Sequence, residues 1–210
     1  DDLAGSTREW MNSTDGDEAI GYIESRYYAY IGEFDFVDLR ALNRRIDERL
    51  PNFIDRFAEA ETTTGMPADL LAALSYQESH WDPAAVSPTG VRGIMMLTRN
   101  TAESLGVMDR LDPVAAIDGG ARYLADRHRR LPETIPEPDR TFLALASYNI
   151  GRGHLGKNPD SWDDMKEVLP LKADKRYYPS TRYGYARGYE PVHYVQRIRN
   201  YRDVISSAFD

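Results

Sequence analysis

The sequence predicts a mainly α-helical domain, and three observations carry that reading. Apolar residues recur at helical spacing, as in Leu70, Leu71 and Leu74 or Ile117, Ala121 and Leu124. Start and stop signals bound these segments, among them Asp112-Pro113 and the break ending at Gly65. No alternating apolar–polar run exceeds a few residues, so a short hairpin within 87–97 is the only β-structure to expect. The 210 residues, 41% hydrophobic and 29% charged, suffice for one compact domain with a core and an appendage.

Taken in order, residues 1–16 are polar and read as poorly structured or as a fragment of something else. Residues 17–31 form a helix ended at Gly32, and a second helix covers about 37–49. Pro51 fits the first turn of a third helix over 51–61, with Phe53, Ile54 and Phe57 inward. After the 62–65 break, Pro67 opens a helix that ends near Glu78, where Asp82, Pro83, Pro88 and Gly90 make a loop. Thr98 or Asn100 caps a short helix ended by Gly106. Asp112 caps the next, to about Leu131, with Val114, Ile117, Ala121, Leu124 and Ala125 inward. A proline-broken loop precedes an apolar helix over 138–148, and 149–158 is glycine-rich. Ser161 caps a short helix to about Leu169, 170–190 has no period, and a last helix covers about 191–207.

Composition excludes several classes of function. A net charge of −8 argues against nucleic acid and anionic lipid as partners. The absence of Cys removes disulfides and thiolate metal sites. No 18-residue apolar run exists, so no membrane span is expected. The chain opens Asp1-Asp2 with neither Met nor a signal peptide, which suggests a processed or truncated product. The four His are scattered without a His-Glu-x-x-His pattern, and Glu78 and His80 point about 200° apart on a helix. No metal and no cofactor are expected. Glycine-rich phosphate loops and G-x-S-x-G elbows are absent.

Glu78 is the candidate for chemistry. On a helix it lies within roughly 40° of both Leu71 and Leu74, so it shares the inward face. Burial and the negative end of the helix dipole would both raise its pKa. A carboxylic acid still protonated near neutral pH is what acid catalysis of glycosidic cleavage requires. The competing reading is a solvated Glu on an exposed last turn. The fourteen Tyr and three Trp serve either core packing or a cleft whose flat rings stack on sugars.

Several separated motifs carry a resemblance. Tyr76-Gln77-Glu78-Ser79-His80-Trp81, followed by Ser87-Pro88-Thr89-Gly90-Val91-Arg92-Gly93-Ile94-Met95-Met96-Leu97-Thr98, resembles the signature of goose-lysozyme-like lytic transglycosylases. Tyr148-Asn149-Ile150-Gly151 is similar to a later element of that family. With a membrane-bound branch the likeness extends from about Tyr27 to the C-terminus, through 34–38, 119–124 and 183–188.

The resemblance implies a lysozyme-like catalytic domain over 51–210. Residues 1–50 would be the tail of, or linker from, a missing N-terminal regulatory domain resembling a solute-binding protein. It implies cleavage of the MurNAc–GlcNAc bond of peptidoglycan to 1,6-anhydro-MurNAc ends, on glycan strands and muropeptides, at the periplasmic face of the outer membrane of a Gram-negative bacterium. Glu78 would be the acid and base. Ser87 would bond Glu78 or a sugar group, unless it only initiates its turn. Gly93 and the Met95 backbone would wall the cleft. Met96 stands where the family has Gln, so that side-chain contact is lost. Tyr148 would reach toward Glu78 and Asn149 toward the sugar, although Tyr148 could equally be core. In Gly188-Tyr189-Glu190, Glu190 is either a substrate contact or a helix N-terminal acid, with Tyr189 beside it. His80 and Trp81 fit packing and loop anchoring. The family has a longer stretch between the positions of Leu155 and Lys157. Two other readings stand beside this one: a hydrolytic muramidase on the same fold, which would need a carboxylate pair, and a non-catalytic peptidoglycan-binding module.

Overall fold

In a computed structural model the described residues are Trp10, Ser13, 36–155, 160–180 and 184–209. The chain divides into two units, Asp1–Ala41 and Leu42–Asp210. The expected helix over 17–31 and the stretch between Leu155 and Lys157 lie outside the described residues.

Nine α-helices follow one another among the described residues. They are α1 (Phe36–Glu48), α2 (Ile54–Thr64), α3 (Ala68–Ser79), α4 (Arg99–Ser104), α5 (Pro113–Arg129), α6 (Asp139–Ile150), α7 (Arg152–Leu155), α8 (Trp162–Val168) and α9 (Glu190–Ile205). Short 3-10 turns join some of them, at Leu50–Asn52, Leu169–Ala173 and Tyr178–Ser180. No strand forms among the described residues. Val86 and Leu97 each make one antiparallel bridge to Arg92, which is the whole of the expected hairpin.

α3 is the centre of the larger unit, packed between α2 and α9, while α6 lies against α5 and α9. Its sequence explains the place: Leu70 through Tyr76 are all buried, so it is apolar around its circumference and not merely striped. Pro67 stands as its N-cap, two residues after Gly65, whose φ of 74° ends α2. Asp112 caps α5 by accepting from Val114 N–H, and Thr98 and Ser161 cap α4 and α8 in the same way.

Four sequence expectations shift. The compact unit begins at Leu42, not at 51, because Leu42 and Leu50 are fully buried in it. Pro51 opens a 3-10 turn closed by Phe53 N–H on the Leu50 carbonyl, so α2 starts only at Ile54 and leaves Phe53 and Ile54 half-buried. Val114 is exposed, since it lies in the first turn of α5 beside exposed Leu111. α6 continues to Ile150 before Gly151 stops it, so Asn149 is helical.

Candidate active site

The site is built where α3 ends. Glu78 sits on the last turn, partly exposed, at the mouth of an otherwise buried helix. The chain then turns through His80 and Trp81, both with positive φ (54° and 56°). Each such non-glycine residue costs about 1–3 kcal/mol and persists only where its surroundings fix it. Here the Trp81 indole is buried and its Nε1–H donates to the Ala72 carbonyl at 2.9 Å. Arg49 Nη1 donates to the His80 carbonyl at 3.0 Å. Trp81 thus anchors the turn, as expected.

The 82–97 loop is tied to the same helix. Ser75 and Ser79 both donate to the Ile94 carbonyl, at 3.1 and 2.8 Å. Asp82 spends an oxygen on its own turn, accepting from Ala84 N–H at 2.9 Å. Gly93 has φ 83°, and a Cβ there would lie 1.7 Å from the Arg110 carbonyl oxygen, so only glycine fits. Arg110 in turn donates to the carbonyls of Gly90 and Leu97, both at 3.0 Å. Met95 buries its side chain against Gly120, and its carbonyl accepts from Tyr148 Oη at 2.9 Å. Gly93 and Met95 therefore hold the loop in place under the helix end.

Tyr194, on α9, donates its phenol hydrogen to Glu78 Oε1. Burial pushes the Glu78 carboxyl from 4.5 up to about 7, and the Tyr194 bond pulls it back only in part. Tyr148 and Tyr194 are both held well above the ordinary phenol range, by burial first and then by the charge of Glu78. Both stay protonated donors. Tyr123 stands edge-on to Tyr148 with ring centroids 5.1 Å apart. Among the described residues no second carboxylate contributes to the Glu78 shift.

The other expected residues divide. Ser87 uses its hydroxyl within its own turn, against Thr89 Oγ1 at 3.0 Å and Val91 N–H at 3.2 Å, and has no bond to Glu78. Met96 has φ 46° and closes a tight turn through its N–H to the Gly93 carbonyl at 3.0 Å. Asn149 is exposed on the last turn of α6. Tyr189 is exposed immediately before α9, and exposed Glu190 is its first residue, a place that favours an acid by helix dipole alone. Among the described residues no group of three or more His, Cys, Asp or Glu side chains gathers for a metal. No helix among them is long and apolar enough to cross a membrane.

Tyr194 is the residue that sequence reasoning missed. Its signal is local and faint: it stands on the inward stripe of α9 with Pro191, Val195 and Ile198, where a tyrosine must find a partner for its hydroxyl.

Residues 55–167 match the family model of the transglycosylase SLT domain, and the chain belongs to that family. The same fold recurs in a solved structure of the lytic transglycosylase Slt of Pseudomonas aeruginosa, an inactive mutant. The TM-score is 0.52 over 73% of this chain and 24% of that one, at 21% identity. The fold is thus mainly α and lysozyme-like. At the level of individual proteins, the chain is 69% identical to membrane-bound lytic murein transglycosylase F 2 of Alkalilimnicola ehrlichii, over 99% of its own length and 48% of that protein. It is 47% identical to membrane-bound lytic murein transglycosylase F of Marinobacter nauticus, over 98% of this chain and 43% of that one. The chain spans just under half the length of these relatives.

Proposed function

We propose that this chain is the catalytic part of a peptidoglycan lytic transglycosylase, a lyase that cuts the MurNAc–GlcNAc β-1,4 bond and leaves 1,6-anhydro-MurNAc ends. The observation that carries the reading is a single carboxyl group, Glu78, poised near neutral pH with a tyrosine donor on one oxygen. A pKa near the working pH lets one group serve first as acid and then as base.

The steps balance with that group alone. Protonated Glu78 gives its hydrogen to the bridging oxygen as the bond from the muramoyl anomeric carbon breaks, and GlcNAc leaves with a free 4-hydroxyl. The Tyr194 hydroxyl steadies the carboxylate so formed, because a hydrogen bond to a charged acceptor is stronger than to a neutral one. The carboxylate then takes the proton of the muramoyl 6-hydroxyl while that oxygen bonds the anomeric carbon. The ring closes and Glu78 is again protonated. The nucleophile is intramolecular, so its effective concentration is high and no water is positioned. Hydrolysis on the same fold would call for a second carboxylate to manage water. One Asp82 oxygen accepts from its own turn.

The substrate contacts proposed around Glu78 are Ser87, the Gly93–Met96 turn, Tyr148, Asn149, Tyr189 and Glu190. The setting is cell-wall turnover at the periplasmic face of a Gram-negative outer membrane. The extra length of the relatives is where this reading puts an anchor and a regulatory domain. Digestion of purified peptidoglycan tests the assignment: the wild-type chain should release soluble muropeptides and Glu78→Gln none. Equal release by both would make Glu78 irrelevant and sink it.

A further inference from the structure

A short series of side-chain pairs closes the seam between α3 and α9. Near the start of α3, Arg202 Nε donates to Asp69 Oδ2 at 2.7 Å. The Tyr76 and Tyr201 rings meet edge-on with centroids 4.7 Å apart. Arg197 Nε donates to Gln77 Oε1 at 2.9 Å, and Tyr194 donates to Glu78. The partners descend α9 as they climb α3, so the two helices run antiparallel and the series ends on the acid. Gln77 is the residue before Glu78, and Arg197 stands about one turn after Tyr194 on the same side of α9.

The two arginine pairs differ in chemistry. Arg202 meets a carboxylate, which offsets its charge. Arg197 meets a neutral amide, and among the described residues no carboxylate forms an ion pair with it. Its cation is thus left uncompensated in a half-buried place, where charges interact more strongly than in bulk water. The charge reaches Tyr194. Burial first, then the charges of Glu78 and Tyr148 and the bond to Glu78, hold that phenol up, and Arg197 pulls it back. Glu78 itself answers to burial and to the Tyr194 bond. Tyr148, from α6, also feels Glu78 and stays protonated, with Tyr123 of α5 behind it.

Resting on the function proposed above, we infer that Arg197, held by Gln77, is a positioning residue of the reaction: its charge makes the Tyr194 hydroxyl a stronger donor to the carboxylate that Glu78 becomes. A cation beside a phenol draws electron density toward the oxygen and polarises the O–H bond. Hydrogen bonds in a chain reinforce one another in this way. The gain is larger when the acceptor is charged than when it is neutral. Arg197 therefore favours the ionised acid, and removing its charge raises the pH at which Glu78 loses its proton.

The test titrates the Glu78 carboxyl by NMR on protein carrying labelled glutamate carbons, with the signal assigned by its loss in Glu78→Gln. Arg197→Gln removes the charge, Arg197→Lys keeps it, and Arg202→Gln breaks the pair at the far end of the same seam. In Arg197→Gln the midpoint should lie above the wild-type value of about 7, by less than in Tyr194→Phe. Arg197→Lys should stay with wild type. Arg202→Gln should lower the melting temperature and leave the midpoint in place. Added to Tyr194→Phe, Arg197→Gln should move it no further. On purified peptidoglycan, kcat of Arg197→Gln should fall about fivefold, the worth of one weakened hydrogen bond, with KM little changed. An unmoved midpoint in Arg197→Gln would overturn the inference. So would an equal shift with and without the Tyr194 hydroxyl, or the same shift from Arg202→Gln or Arg197→Lys. Absence of turnover by the wild-type chain would refute the lyase reading, while the midpoints would still decide whether Arg197 acts on Glu78 through Tyr194.

Discussion

Tyr194 reaches across 116 residues of sequence to donate a hydrogen bond to Glu78, joining the C-terminal helix to the end of the central one. The contact sets the acid: burial raises its pKa and this one bond restrains the rise. The proposed cleavage requires the protonated form, so activity should fall as pH rises through about 7. In Tyr194→Phe the restraint is gone, the pKa climbs further, and the alkaline limb of the kcat/KM profile should move to higher pH. Turnover at the optimum should drop by about tenfold or more, since the carboxylate formed in the first step loses its partner. An unmoved limb would mean that Tyr194 only packs.

The same pKa bears on stability. Glu78 binds its proton more tightly folded, at about 7, than at its ordinary value of 4.5. Its contribution is therefore fully present below about pH 4.5, and is lost as pH rises to about 7. Glu78→Gln removes that loss. The variant should match wild type near pH 4 and exceed it by about 1–3 kcal/mol at pH 8. Urea unfolding at the two pH values checks this, and a variant less stable than wild type at pH 8 would contradict it.

Two loop glycines should separate cleanly. Gly90 and Gly93 share a φ of 83°, but a Cβ meets nothing within 4 Å at Gly90 and the Arg110 carbonyl at Gly93. Gly90→Ala should cost about 1–2 kcal/mol of backbone strain. Gly93→Ala must also displace the 109–111 backbone, and should lower stability by clearly more and abolish activity. Thermal unfolding of the two variants side by side decides whether the close approach matters.

The start of the larger unit makes another prediction. Leu42 and Leu50 are fully buried, Arg45 Nη1 donates to Tyr76 Oη at 2.9 Å, and Arg49 holds the His80 carbonyl. A chain beginning at Pro51 loses all four contacts. Each buried leucine is worth about 2–5 kcal/mol, so that chain should melt well below one beginning at Phe36. Equal melting temperatures would restore the boundary at 51.

What the sequence made legible was local. The stripe of Leu71 and Leu74 and the stop signals after Ser79 placed Glu78 on an inward helix end. Asp112, Thr98 and Ser161 announced their caps. Long-range pairing was hidden, because nothing near Tyr194 names Glu78 as its partner. Ser87 illustrates the limit of spacing: it stands near the right turn, yet its hydroxyl closes that turn instead of reaching the acid. Val114 fits the period of α5 but lies in a first turn that no neighbour covers, since period specifies a face and not what packs on it. Leu42 was assigned to a tail because burial across elements leaves no mark in local pattern.

The most direct measurement is mass spectrometry of the products released from purified peptidoglycan, wild type beside Glu78→Gln. If one carboxyl group serves as acid and then base, the wild-type products are lighter by one water than hydrolysed muropeptides, and they vanish in the variant. Products bearing hydrated reducing ends, also lost in the variant, would contradict the intramolecular route and show that water is the nucleophile.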